Sequence, residues 1–185
     1  MTATESLQAR LRALLLERSV RRGDFVLASG RKSAFYIDAR RTTMAGEGLA
    51  VVGALGVAAL ERRGWKPRAI GGLTLGADPV AYAIALAGKI DAFTVRKKPK
   101  EHGTGRRIEG CFERGYAVVI VEDVVTTGAS ALEAIGAVTA EGGRILGVLA
   151  VVDREEGGRP AIESAGYALE VLTSARELGL DAAGR

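Results

Sequence analysis

The sequence predicts an α/β fold: a central, mostly parallel sheet flanked by helices. Three observations carry this expectation. Near-continuous apolar runs of strand length recur through the chain, at 68–72, 91–95, 117–121, 144–152 and 167–172. Segments of helical length separate several of them. Turns join them, the Gly-rich GGLTLGADP and the small-residue EDVVTTGAS. Strands that are apolar on both faces belong to parallel sheets covered by helices on both sides.

The elements follow in order. Residues 4–18 read as an amphipathic helix, with Leu7, Leu11, Leu14 and Leu15 on one face and Thr4 as its N-cap. FVLASGRKSAFYID, residues 25–38, reads as a hairpin, because two β-prone runs flank Ser29-Gly30-Arg31-Lys32. Residues 46–63 form a buried helix closed by Gly64. A helix over 78–87 follows the first core strand, with Asp78 as its N-cap. A polar loop covers 96–110, and a helix runs from the 126–130 turn to about 141. A short helix, the strand at 167–172 and a last helix close the chain. No linker, repeat or low-complexity stretch interrupts it, and 185 residues is the size of one domain.

Composition narrows the class. The chain is 48% hydrophobic, enough for a substantial core. No apolar run is long enough to span a bilayer. The opening MTATESLQARLRALLLER lacks the uninterrupted apolar stretch of a signal peptide, and Cys111 is the one cysteine, so a cytoplasmic protein without disulfides is expected. The net charge of +4 favours an anionic partner, either nucleic acid or a small phosphate compound. Arg96, Lys97, Lys98, Lys100, Arg106 and Arg107 concentrate that charge, opposed by Glu101. The same run also reads as a solvated surface loop.

The strongest chemical signal is VVIVEDVVTTGASALEAI, residues 118–135. An apolar strand ends in Glu122 and Asp123, then Val124 and Val125 lead into Thr126-Thr127-Gly128-Ala129-Ser130 at the start of a helix. Ligands of open α/β sheets bind outside the carboxyl ends of the strands. Free N–H groups and partial positive charge at a helix N-terminus suit a phosphate. The acids, repelled by phosphate, suit ribose hydroxyls. One loop thereby grips both parts of a sugar phosphate; the plainer alternative is a capped strand-to-helix turn.

This segment resembles the phosphoribosyl pyrophosphate (PRPP) signature of the type I phosphoribosyltransferases. Residues 96–110, RKKPKEHGTGRRIEG, are similar to the catalytic loop of the orotate phosphoribosyltransferase family: Arg96, Lys97, Lys100, Glu101-His102-Gly103 and Gly105 match in order and spacing. Residues 25–38 resemble the hood of that family and residues 151–159, VVDREEGGR, its base-binding segment. The resemblance implies the type I fold as one domain over 1–185, with a small hood from residues 1–40 plus a C-terminal segment and a PRPP core over about 44–155. It implies transfer of ribose 5-phosphate from PRPP to orotate, giving orotidine 5′-monophosphate and pyrophosphate in pyrimidine biosynthesis. Lys100, His102, Arg96 and Asp123 would be catalytic. PRPP would be held by Arg96, Lys97, Lys100, His102 and residues 122–130, and orotate by Thr126, Arg154 and Tyr36. Mg²⁺ would be carried on PRPP, with no direct protein cage. A homodimer whose catalytic loop serves the neighbouring site is also implied. So is an enzyme that engages neither nucleic acid nor membrane.

The residue types fit that chemistry. Cations bind a departing pyrophosphate more tightly as its charge builds, and a glycine-flanked loop can close over it. Such a loop, poor in apolar anchors, is expected to be mobile without ligand. A planar guanidinium at Arg154 can take the carboxylate that orotate has and uracil lacks. Some members of the family carry lysines where this chain has Ala28 and where it has the uncharged start of the 71–78 loop; backbone N–H groups of 72–76 are the expected substitute. Two alternatives stand beside this reading. One is transfer to another base. The other is a PRPP-sensing regulator of nucleic acid, for which a helix-turn-helix segment ahead of the hood would be expected.

Overall fold

The alternation of apolar runs and helical periods is realised in a computed structural model that describes residues 2–26, 32–98 and 107–180. Helix α1 (Ala3–Arg18) leads into the antiparallel pair β1 (Val20–Val26) and β2 (Lys32–Ile37). A four-residue helix α2 (Arg40–Thr43) and the long α3 (Gly46–Arg62) follow. The remaining elements are β3 (Ala69–Leu73), α4 (Ala77–Gly88), β4 (Asp91–Val95), β5 (Ile108–Gly110), β6 (Ala117–Val125), α5 (Ala129–Ala140), β7 (Arg144–Asp153), α6 (Gly158–Ser164) and β8 (Leu169–Ser174). Six strands form the main sheet in the order β5-β4-β3-β6-β7-β8, all parallel except β5. Among the described residues no helix is long and apolar enough to cross a membrane.

Alternation along β6 separates two cores. Val119 and Val121 join Leu149, Val151 and residues of α1, α3 and α4 on one face. Val118 and Ile120 join Val148, Ala150, Ile162 and the inner face of α5 on the other. This is the two-sided cover that the apolar strands predict. Leu11, Leu14 and Leu15 of α1 are wholly buried in the first core, so that helix packs with the sheet beneath the hairpin.

Four expectations require correction. Thr2, not Thr4, caps α1: its hydroxyl accepts the Glu5 N–H at 3.2 Å while the Glu5 carboxylate accepts the Thr2 N–H at 2.6 Å, a capping box that satisfies two donors at once. Gly76, not Asp78, is the N-cap of α4; the Asp78 carboxylate accepts from the hydroxyls of Thr74 (2.7 Å) and Thr94. The 96–110 segment is not all loop, since Ile108 is buried and β5 pairs with the edge of β4, which would otherwise present unpaired backbone groups. No last helix forms in residues 175–180. There the chain turns back, with Leu180 N–H on the Ala175 carbonyl at 2.9 Å and Leu178 and Leu180 buried in the first core. Glu177 ends β8 by accepting the Ser174 N–H at 2.9 Å.

The middle of the sheet is tightly drawn. A Cβ on Gly72 of β3 would overlap the Val121 carbonyl of β6 and lie 2.7 Å from the Ala77 Cβ of α4. Backbone on one side and a buried helix on the other leave nothing to give way. Gly72→Ala should therefore destabilise by about 1–3 kcal/mol, the usual range for overpacking. In a domain of this size that is a fall in Tm of roughly 3–10 °C, readable by calorimetry.

Candidate active site

The sheet reverses its winding between β3 and β6. These strands are neighbours, yet β3 connects outward to β4 and β6 connects the opposite way to β7. Such a switch point opens a crevice at the carboxyl ends of the strands. The turn after β3, Thr74-Leu75-Gly76, forms one wall. The other is a pocket lined by Glu122 and residues 124–131.

That second wall is a strand-to-helix turn built for close approach. Gly128 takes φ +81°, which favours glycine, and serves as N-cap of α5. A Cβ there would meet the Gly158 carbonyl at 3.1 Å, so the start of α6 braces the turn from behind. The first N–H groups of α5 have no partner within the helix and open into the pocket.

Glu122 and Asp123 lie inside β6, which runs on to Val125, rather than after its end. The face assignment of the strand shifts at this point. Val121 and Val124 both pack toward the first core, and Val125 toward the second. Glu122 is 6% exposed, and its Oε1 accepts no hydrogen bond among the described residues. Burial, reinforced by the charge of Asp123 and opposed by Lys97, pushes its pKa up to about 8. Burial also raises Asp123, but its carboxylate accepts the Val124 N–H at 2.9 Å and feels Arg40, both of which pull it back. A Cβ on Gly76 would lie 2.9 Å from Asp123 Oδ2, so glycine at the head of α4 makes room for this carboxylate. Arg40 is held at 2.8 Å by Asp38.

Arg154 follows β7, its N–H bonded to the Val125 carbonyl at 2.9 Å. It is not a solvated loop arginine: its side chain is 4% exposed. The guanidinium lies 4.6 Å over the Phe35 ring and donates to Ser33 Oγ at 3.2 Å. Hood and core therefore meet at this residue. Tyr36, expected beside the base, is 40% exposed and tilts against Phe25 at 5.8 Å. Ser33, Phe35 and Ile37 point inward from β2, and Tyr36 does not. The aromatic that meets Arg154 is its neighbour, Phe35.

Arg96 and Lys97 follow β4. Arg96 stands 3.7 Å from Glu109, and Lys97 lies near enough to act on Glu122. Lys100 and His102, with Glu101, Gly103 and Gly105, lie outside the described residues. Thr126, Thr127, Ala129 and Ser130 lie in the pocket wall. Among the described residues no cluster of three or more Asp, Glu, His or Cys could hold a metal. Sequence reading missed Ser33, Phe35, Asp38, Arg40, Gly76 and Glu156. Three of these, Asp38, Arg40 and Glu156, were within reach, because Asp38-Ala39-Arg40 and Arg154-Glu155-Glu156 each place an acid and an arginine two residues apart.

An acid-bearing strand end, a phosphate-sized turn at a helix start and a hairpin above them define the type I phosphoribosyltransferase fold. No protein-family model matches the chain. It is 43% identical over 182 residues to the orotate phosphoribosyltransferase of Rhodopirellula baltica, covering 94% of each protein. It is similar to a crystal structure of Mycobacterium tuberculosis orotate phosphoribosyltransferase in complex with Fe(III) dicitrate (TM-score 0.85, 44% identity, 94% of this chain and 99% of that one). A structure of the same mycobacterial enzyme in complex with PRPP gives a TM-score of 0.80 at 41% identity, with the same coverage. The chain belongs to the orotate phosphoribosyltransferase family.

The acid in the pocket makes ligand-free stability depend on pH. Folding raises the proton affinity of Glu122 from the usual 4.5 to about 8. The folded state is favoured fully below the lower value and loses that advantage as pH rises through the higher one. Glu122→Gln should raise the Tm of the ligand-free protein by a few degrees at pH 8.5. The gap should close toward pH 5; thermal melts across that range check it.

Proposed function

We propose that this chain transfers the ribose 5-phosphate group of PRPP to orotate through the site described above, releasing pyrophosphate and forming orotidine 5′-monophosphate. The observation that carries the reading is the buried Glu122, whose Oε1 accepts no hydrogen bond among the described residues, beside the N-terminus of α5 in a chain of this family. A buried polar atom without a partner is costly unless a ligand completes it.

The turn from Thr126 to Ser130 binds the 5-phosphate through its N–H groups and hydroxyls. Glu122 and Asp123 orient the ribose by accepting from its hydroxyls. Magnesium carried on the pyrophosphate would supply neutralisation of the leaving group, and the two acids fit an ion held mainly through substrate oxygens. Arg96, Lys97, Lys100 and His102 bind pyrophosphate more strongly as charge builds on it in an oxocarbenium-like transition state. Arg154 and Thr126 hold the base, with Arg154 on its carboxylate. Orotate consumption followed by absorbance with PRPP and Mg²⁺ tests the whole reading; uracil or adenine consumed in its place would overturn it.

The exposed surface supports a homodimer. Met44, Leu75, Tyr82 and Leu86 are large, apolar and 53–85% exposed around α2, the turn after β3 and the outer side of α4. That patch beside the crevice fits the contact of a homodimer, with the 96–110 loop of one subunit serving the site of the other.

Arg154→Ala should raise the KM for orotate at least about tenfold, the scale of a lost charge-assisted pair, and leave the KM for PRPP nearly unchanged. Steady-state kinetics in each substrate check this. The loop arrangement is tested by mixing Lys100→Ala with Asp123→Asn protein under conditions of subunit exchange. Each alone should be nearly inactive. If the loop acts across the dimer, random mixing makes about half the dimers hybrid, each with one intact site, so roughly a quarter of wild-type activity returns. Activity that stays near zero despite exchange rules the arrangement out.

A further inference from the structure

Arg154 already has an acid. Both its Nε (2.8 Å) and its Nη2 (2.6 Å) reach Oε1 of Glu156, two residues along the chain. A guanidinium stays charged at any working pH, so one buried to 4% exposure demands a counterion. The stacking on Phe35 and the bond from Ser33 fix the plane of the group without adding charge. What Glu156 adds is mainly neutralisation.

Its setting allows that contribution to be withdrawn. Glu156 keeps 20% side-chain exposure. It sits between Glu155 at φ +57° and Gly157 at φ +103°, in a turn anchored by the Glu155 N–H on Asp153 at 2.8 Å. An incoming carboxylate meets a guanidinium whose charge is already cancelled. Two carboxylates on one buried cation leave a net negative charge in a poorly solvated place, which is costly.

We propose that Glu156 is the resident counterion of Arg154, that it competes with the substrate carboxylate for the guanidinium, and that it thereby sets the affinity for a carboxylated base. The inference rests on the reading that Arg154 takes the orotate carboxylate. Glu156→Gln keeps the acceptor oxygen and removes the charge. At saturating PRPP, the orotate concentration for half-maximal rate should fall at least about threefold, within the range of one charged hydrogen bond. The value for PRPP should not move. Preference for orotate over uracil, which has no carboxylate, should rise with it. If Glu156 instead only positions Arg154, the orotate value rises, and an unchanged or raised value overturns the proposal. Should that variant fail to fold, Glu156→Asp draws the same charge back from Nε and should shift the orotate value in the same direction; no shift overturns the proposal equally. Arg154→Ala, measured alongside, separates the two layers. A raised orotate value there with none lowered in Glu156→Gln removes the counterion role alone. An unchanged value in Arg154→Ala removes the placing of the carboxylate, and the proposal with it.

Discussion

Two carboxylates are carried into the dry end of a central strand, and much of the architecture follows from that. β6 lies in the middle of a six-stranded sheet with a core on each face, so Glu122 arrives buried and Asp123 half-buried, where water solvates them poorly. Carboxylates in such a place raise their pKa or find partners. Asp123 finds its own following N–H and the field of Arg40, while Glu122 keeps an open oxygen toward the pocket. The glycines around them are the counterpart of this constraint. Gly76 clears space for Asp123, and Gly72 lets β3 lie against β6 closely enough to form the crevice at all.

The same physics governs the cations. Arg40 and Arg154 each stand beside an acid two residues away in sequence, Asp38 and Glu156. A local pair of this kind keeps a guanidinium in one orientation before any ligand arrives, at little entropic cost because the partners share a short stretch of chain. The consequence differs with burial. Arg40 is largely in contact with water, where neutralisation matters little; Arg154 is not, and there the partner acid competes with whatever anion the site receives.

Hood and core are joined through side chains rather than through the main sheet. The β1–β2 pair forms a separate two-stranded sheet. Its inward residues Ser33 and Phe35 reach Arg154 from above, and Arg22 donates to the Gly179 carbonyl at 3.1 Å. Three distant parts of the chain therefore converge on Arg154: β2, the end of β7 and the end of β6, whose Val125 carbonyl accepts the Arg154 N–H.

Local chemistry written into the chain determined a good deal by itself. Apolar runs fixed by their period and length announced the parallel sheet, and the acid pair before a small-residue turn announced where the pocket opens, because both depend on residues adjacent in sequence. Strand β5 was not legible, since three residues with one buried isoleucine pair only because the edge of β4 is there to receive them. Nor was the true place of Asp78 of α4, whose hydroxyl partners include Thr94, sixteen residues away on β4. The choice of Phe35 over Tyr36 beneath Arg154 turns on which face of β2 meets the core, a one-residue alternation that sequence spacing left open. The sheet and most of its helices were thus settled by the chain alone. The tertiary structure decided which side chains are dry and which acid each arginine meets, because burial and long-range pairing exist only once the layers have closed.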